Sequence, residues 1–121
     1  MPCQSILIVE DDAGISETLR LILETEGFKV FSAANGKEGL EVLPRIPSPC
    51  LILLDLMMPV MDGWAFAEAL DKDAVLATIP IVVVTAFSEK ATPLKKADAV
   101  IKKPFDIDTL MKLVRQYCSR M

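Results

Sequence analysis

Three short apolar runs in this chain each end on a polar side chain. Ile6-Leu7-Ile8-Val9 runs into Glu10-Asp11-Asp12, Leu51–Leu54 into Asp55, and Ile81–Val84 into Thr85. Runs of four aliphatic residues without polar alternation fit strands buried on both faces. Helical patterns lie between them. Residues 14–26 place Ile15, Leu19, Ile22 and Leu23 on one face, with Asp12 as N-cap and Gly27 at the left-handed C-terminal position. Phe28–Ala33 reads as a second strand. Asn35-Gly36-Lys37-Glu38 reads as a capping box before a helix carrying Leu40 and Leu43, ended by Pro44, Pro47 and Pro49. Asp62 caps a helix over 63–70, and Ala99–Ile101 is a short fifth strand. Asp106 caps a last helix, lined on one face by Ile107, Leu110, Val114 and Tyr117. Strands alternating with helices imply right-handed crossovers and a parallel sheet with helices on both faces.

In such sheets ligands bind beyond the carboxyl ends of the strands. There the sequence places Glu10, Asp11 and Asp12, then Asp55, then Thr85, and then Lys103-Pro104 after the fifth strand. In the common five-stranded order the first and third strands are neighbours, which brings the Asp11 and Asp55 carboxylates together. Like charges at that range need an offset. A hard divalent cation such as Mg²⁺, held by oxygen ligands, supplies one, and Lys103 supplies a second positive charge.

Composition removes several function classes. The net charge of -4 comes without a basic run, so no phosphate-tracking face for nucleic acid is expected. No apolar stretch is long enough to span a bilayer. The start, MPCQSILIVEDD, lacks a basic segment and a cleavage site, so it does not read as a signal peptide. The chain has no histidine, which removes the usual zinc and copper sets and every histidine-dependent nucleophile. The three cysteines, Cys3, Cys50 and Cys118, form no CxxC pair and read as reduced thiols of a cytoplasmic protein. At 121 residues and 52% hydrophobic, the chain is expected to be one domain over 1–121 with a real core.

The ordered set ILIVEDD, LLDLMMPVMDG, IVVVTA and KKPF resembles the receiver domain of two-component response regulators, over essentially the whole chain. The resemblance implies a flavodoxin-like fold with strand order 2-1-3-4-5. It implies that Asp55 accepts a phosphoryl group from a sensor histidine kinase or a histidine phosphotransfer protein. Asp11 would be a direct Mg²⁺ ligand, Asp55 another, Glu10 a partner through a metal-bound water, and Met57 a ligand through its backbone carbonyl. Thr85 would grip a phosphoryl oxygen. Lys103 would pair first with Asp55 and then with its phosphate, aimed by a cis peptide bond at Pro104. Such a chain is a phosphoacceptor rather than a turnover enzyme. With no output domain expected after the last helix, its readout would be protein–protein contact with an unknown target.

The chain departs from that family between Thr85 and Lys103. The segment is shorter by about four residues, roughly one helical turn, and carries Pro93. A fourth helix there is therefore expected to be shortened or lost. Val100 stands where the family often has an aromatic.

Taken singly, Asp55 could be a turn residue, Lys103 a solvated lysine, Thr85 a strand-end hydroxyl, and Asp12 and Asp62 helix caps. Three other readings compete with the whole set. A phosphohydrolase using an aspartyl-phosphate would want Asp-x-Asp, and here the triplet is Asp55-Leu56-Met57. A nucleotide- or flavin-binding domain would want a glycine-rich loop after a strand, and none is present. A pseudo-receiver that only binds partners would not need so complete a site.

Overall fold

The computed structural model describes residues 5–47, 49–86, 99–103 and 105–118. Five strands, β1 (Ser5–Val9), β2 (Lys29–Ala33), β3 (Leu51–Leu54), β4 (Ile81–Thr85) and β5 (Ala99–Lys102), form one parallel sheet in the order β2-β1-β3-β4-β5. The described helices are α1 (Ala13–Thr25), α2 (Gly36–Val42), α3 (Gly63–Asp71) and α4 (Ile107–Tyr117). The expected shortening of a helix between β4 and β5 falls on residues 87–98, outside the described residues. So does the expected cis bond at Pro104.

The uninterrupted apolar runs of β1, β3 and β4 are buried along their whole length because helices cover both faces. Alternate residues of each strand feed two cores. Ile6, Ile8, Leu51, Leu53, Val82 and Val84 pack with Leu19 and Leu23 of α1 and Leu110 and Val114 of α4. Leu7, Val9, Ile52, Leu54, Ile81 and Val83 pack on the other side with Leu43 and with Phe66, Ala67 and Leu70 of α3.

Local signals place most helix starts. The side chains of Asp12, Asn35 and Asp62 accept from the backbone N–H of Ile15, Glu38 and Ala65 at 3.1, 2.9 and 2.9 Å. The capping box closes as expected, because the Glu38 carboxylate accepts from Ala34 N–H at 3.0 Å. Gly27 takes φ 93° after α1, which glycine adopts without a Cβ penalty. Pro44 falls within a 3-10 turn over Leu43–Arg45 that continues α2.

Two expectations for α4 are corrected. Asp106 sits at the N-cap position, but its side chain makes no cap bond to backbone; its carboxylate accepts from Thr109 Oγ1 at 3.4 Å. Ile107 is exposed, and the buried face is Leu110, Met111 and Val114, continued by Cys118. Helical period alone therefore did not identify which residues of that face are buried.

The expectation of three reduced thiols is also corrected: Cys50 and Cys118 form a disulfide, 68 residues apart in sequence. The fold brings the residue entering β3 under the last turn of α4, a proximity that spacing does not reveal. Closing so long a loop restricts the unfolded chain by about 4 kcal/mol in the entropic account.

Among the described residues, one outside glycine holds a left-handed backbone. Val60, in the loop after β3, has φ 68° and is 77% exposed. A β-branched residue there carries roughly 1–2 kcal/mol of strain and gains little from packing. Val60→Gly is expected to raise stability by about 1 kcal/mol, read as a higher urea midpoint; an unchanged or lower midpoint would show that the loop offsets the strain.

Candidate functional site

The strand order reverses between β1 and β3, and the crevice at their carboxyl ends holds the site. Register puts Val9 beside Leu54, and Asp55 N–H donates to Val9 carbonyl at 3.0 Å. Glu10 is fixed from the other side by its own N–H to Ala33 carbonyl, 3.0 Å. At the far edge, Lys102 pairs with Thr85, and Lys103 N–H donates to Thr85 carbonyl at 2.9 Å. Four strands thus end side by side at one edge of the sheet.

Carboxylate oxygens of Glu10, Asp11 and Asp55 lie within 4.8 Å of one another. Glu10 is 4% and Asp55 6% exposed, whereas Asp11 faces solvent. Lys103 Nζ bridges the two buried acids, 2.7 Å from Glu10 Oε1 and 3.5 Å from Asp55 Oδ2. Its nearer partner is therefore Glu10, not Asp55 as the resemblance implied. Glu10 Oε2 also accepts from Asp12 N–H at 3.1 Å, which ties the site to the cap of α1. Thr85 is fully buried at the end of β4. Met57, two residues past Asp55, is exposed.

Burial pushes the Glu10 carboxyl up from its ordinary 4.5 to about 7, although the Lys103 ammonium and the Asp12 N–H oppose this. For Lys103, burial works downward, but its bond to Glu10 and the charges of Glu10 and Asp55 outweigh that and hold its pKa raised. The pocket is thus short of positive charge. Its donors are all oxygen, at spacings that suit a small hard cation, so Glu10, Asp11 and Asp55 fit Mg²⁺.

The loop after β3 owes its shape to Gly63. A Cβ there would stand 2.5 Å from Asp55 carbonyl oxygen and 2.8 Å from Leu56 Cα, while Gly63 N–H donates to Leu56 carbonyl at 2.9 Å. The start of α3 thus presses directly on the backbone that carries Asp55.

All six residues singled out in the sequence, Glu10, Asp11, Asp55, Met57, Thr85 and Lys103, lie at this edge of the sheet. The direct Glu10–Lys103 bond links positions 93 apart and has no local signal.

The chain is thus a doubly wound α/β domain with a carboxylate cluster and one lysine at its switch point, where such folds place their functional site. The family model described as the response regulator receiver domain matches residues 6–115. The chain belongs to that family, the receivers of two-component systems. It is 36% identical to response regulator Rre1 of Synechocystis, over 96% of this chain and 52% of that protein. It is 35% identical to sporulation initiation phosphotransferase F of Bacillus subtilis, over 94% and 93% of the two chains. A solved structure of the Thermotoga maritima response regulator TrrA, in complex with Mg²⁺-BeF, superposes with TM-score 0.84 at 30% identity, covering 94% and 98% of the chains. The chain spans about half the length of the first curated relatives it matches. Among the described residues, no helix is long and apolar enough to cross a membrane.

Proposed function

We propose that the chain is the phosphoryl acceptor of a two-component relay, with Asp55 as the acceptor and Mg²⁺ as the required ion. The observation that carries this reading is the buried Asp55 carboxylate at the end of β3, held within reach of Glu10, Asp11 and the Lys103 ammonium. One Asp55 oxygen attacks the phosphorus of a phosphohistidine on a histidine kinase or phosphotransfer protein. The P–N bond breaks, and its electron pair stays on the departing imidazole. Positioning and charge stabilisation do most of the work in such a transfer. A bound Mg²⁺ would neutralise charge on the transferring oxygens.

The chain's own groups take defined roles. Asp11, on the solvent side, and Asp55 would hold the ion, with the Met57 backbone carbonyl as a further oxygen donor. Glu10 would support the ion through a bound water. Lys103 swings from Glu10 toward the new phosphate, and the Thr85 hydroxyl donates to one of its oxygens. Turnover is confined to the chain's own phosphoryl group, and the signal leaves by contact with a downstream protein in the cytoplasm. A phosphohydrolase is the weaker reading, because Leu56 is fully buried and Met57 offers no general acid.

Mass spectrometry after treatment with acetyl phosphate and Mg²⁺ tests the assignment. Wild type is expected to gain one phosphoryl group, and neither Asp55→Asn nor wild type in EDTA should gain any. Labelling that persists in Asp55→Asn would refute it.

The raised Glu10 pKa sets a pH dependence. In the metal-free protein a raised carboxyl favours folding below its ordinary 4.5, and that contribution is lost as pH climbs through about 7. Mg²⁺ binding should run the opposite way, strengthening as pH rises toward about 7 because Glu10 must lose its proton. Titrations followed by the single tryptophan, Trp64, should show this rise. Glu10→Gln should flatten it, and an unchanged pH profile in that variant would assign the dependence to another group.

A further inference from the structure

We propose that Cys50 and Cys118 form a reversible thiol–disulfide exchange site that takes a low-molecular-weight disulfide such as glutathione disulfide, and that its closure clamps the last turn of α4. The pair lies at the end of the sheet opposite the acidic pocket. Cys50 enters β3 and Asp55 leaves it, five residues or roughly 16 Å away along the strand. Oxidation at this pair therefore need not touch the phosphoacceptor chemistry.

The two sulfurs differ in access. Cys118 is 2% exposed and belongs to the core, while Cys50 is only partly buried at its edge. Cys50 is thus the sulfur that an outside reagent meets. In the closing direction the Cys50 thiolate attacks glutathione disulfide, forms a mixed disulfide and releases one glutathione thiolate. The Cys118 thiolate then attacks the Cys50 sulfur and releases the second glutathione. The protein loses two electrons and two protons, and glutathione disulfide gains them. Reduction reverses the sequence, with a glutathione thiolate attacking Cys50 and Cys118 leaving.

What closure holds is specific. Cys118 caps α4, its N–H donating to Val114 carbonyl at 2.8 Å, and Cys50 is anchored by its N–H to Ser5 carbonyl at 2.8 Å. The Arg115–Glu26 pair at 3.3 Å on this end of α4 is solvent-exposed. Exposed pairs of that kind contribute little. The disulfide is therefore the covalent fastening of the last turn to the sheet, and opening it removes that fastening.

The test uses the full chain with Cys3→Ser, so that two thiols remain. Thiols are counted by alkylation and mass spectrometry after equilibration in glutathione buffers of graded composition. Both thiols are expected to disappear together as the buffer becomes oxidising and to return in millimolar reduced glutathione. With Cys118→Ser added, Cys50 should accumulate a glutathione adduct. With Cys50→Ser instead, Cys118 should stay unmodified. Amide exchange across 114–118 should slow by about tenfold or more in the closed form. A pair that stays closed in millimolar reduced glutathione would be a permanent staple and would overturn the proposal. So would thiols that remain alkylatable in the oxidising buffers, or exchange rates in α4 that ignore the redox state.

Discussion

Replacing Lys103 by methionine is expected to cost the metal-free protein about 3–5 kcal/mol of stability at neutral to alkaline pH. Methionine keeps an apolar stem but removes the only cation that the structure places between Glu10 and Asp55 among the described residues. Two buried carboxylates would then face each other, with Asp11 a few ångströms away. Proton uptake by Glu10 offers relief. Its pKa already stands at about 7 with the lysine present, and losing the lysine drives it higher. The difference between variant and wild type should therefore shrink as pH falls. Mg²⁺ should also restore much of the loss, because it supplies the missing charge to the same oxygens. Urea unfolding at alkaline and mildly acid pH, with and without Mg²⁺, measures all of this. A variant whose midpoint matches wild type in every condition would show that the lysine contributes nothing net to the cluster.

Gly63→Ala is the second large effect, with an expected loss of about 3 kcal/mol. The new methyl would meet backbone at 2.5 and 2.8 Å, and backbone cannot turn aside as a side chain can. Either the first turn of α3 lifts off the loop or the Asp55–Leu56 peptide shifts. The second outcome displaces the acceptor, so labelling by acetyl phosphate should slow as well. Gly39→Ala is the control. Its Cβ would stand 2.8 Å from the Phe66 ring, a side chain in a core that can yield slightly, so about 1 kcal/mol is expected. Equal losses at the two glycines would remove the claim that Gly63 is needed by the backbone carrying Asp55.

Much of this molecule is written in short stretches. The runs 6–9, 51–54 and 81–84 are strands because only a sheet covered on both faces can bury them whole. Asp12, Asn35 and Asp62 start helices because a short acceptor side chain reaches an N–H three residues on. Glu10, Asp55 and Thr85 were legible for the same reason: each is the first polar position after an apolar strand, and parallel strands present those positions at one edge, with Asp11 and Lys103 one residue further on. Other properties depend on distances between segments far apart in the chain. The sheet order carries Lys103 to Glu10 rather than chiefly to Asp55, and desolvation there lifts the Glu10 pKa. The same order carries Cys50 under Cys118, which cysteine spacing had assigned to free thiols. The exposure of Ile107 and the left-handed backbone of Val60 likewise have no local signal in the sequence. A periodic pattern says which residues share a face. Which partner that face or side chain meets, and how dry the contact is, depends on packing between elements that the pattern does not record.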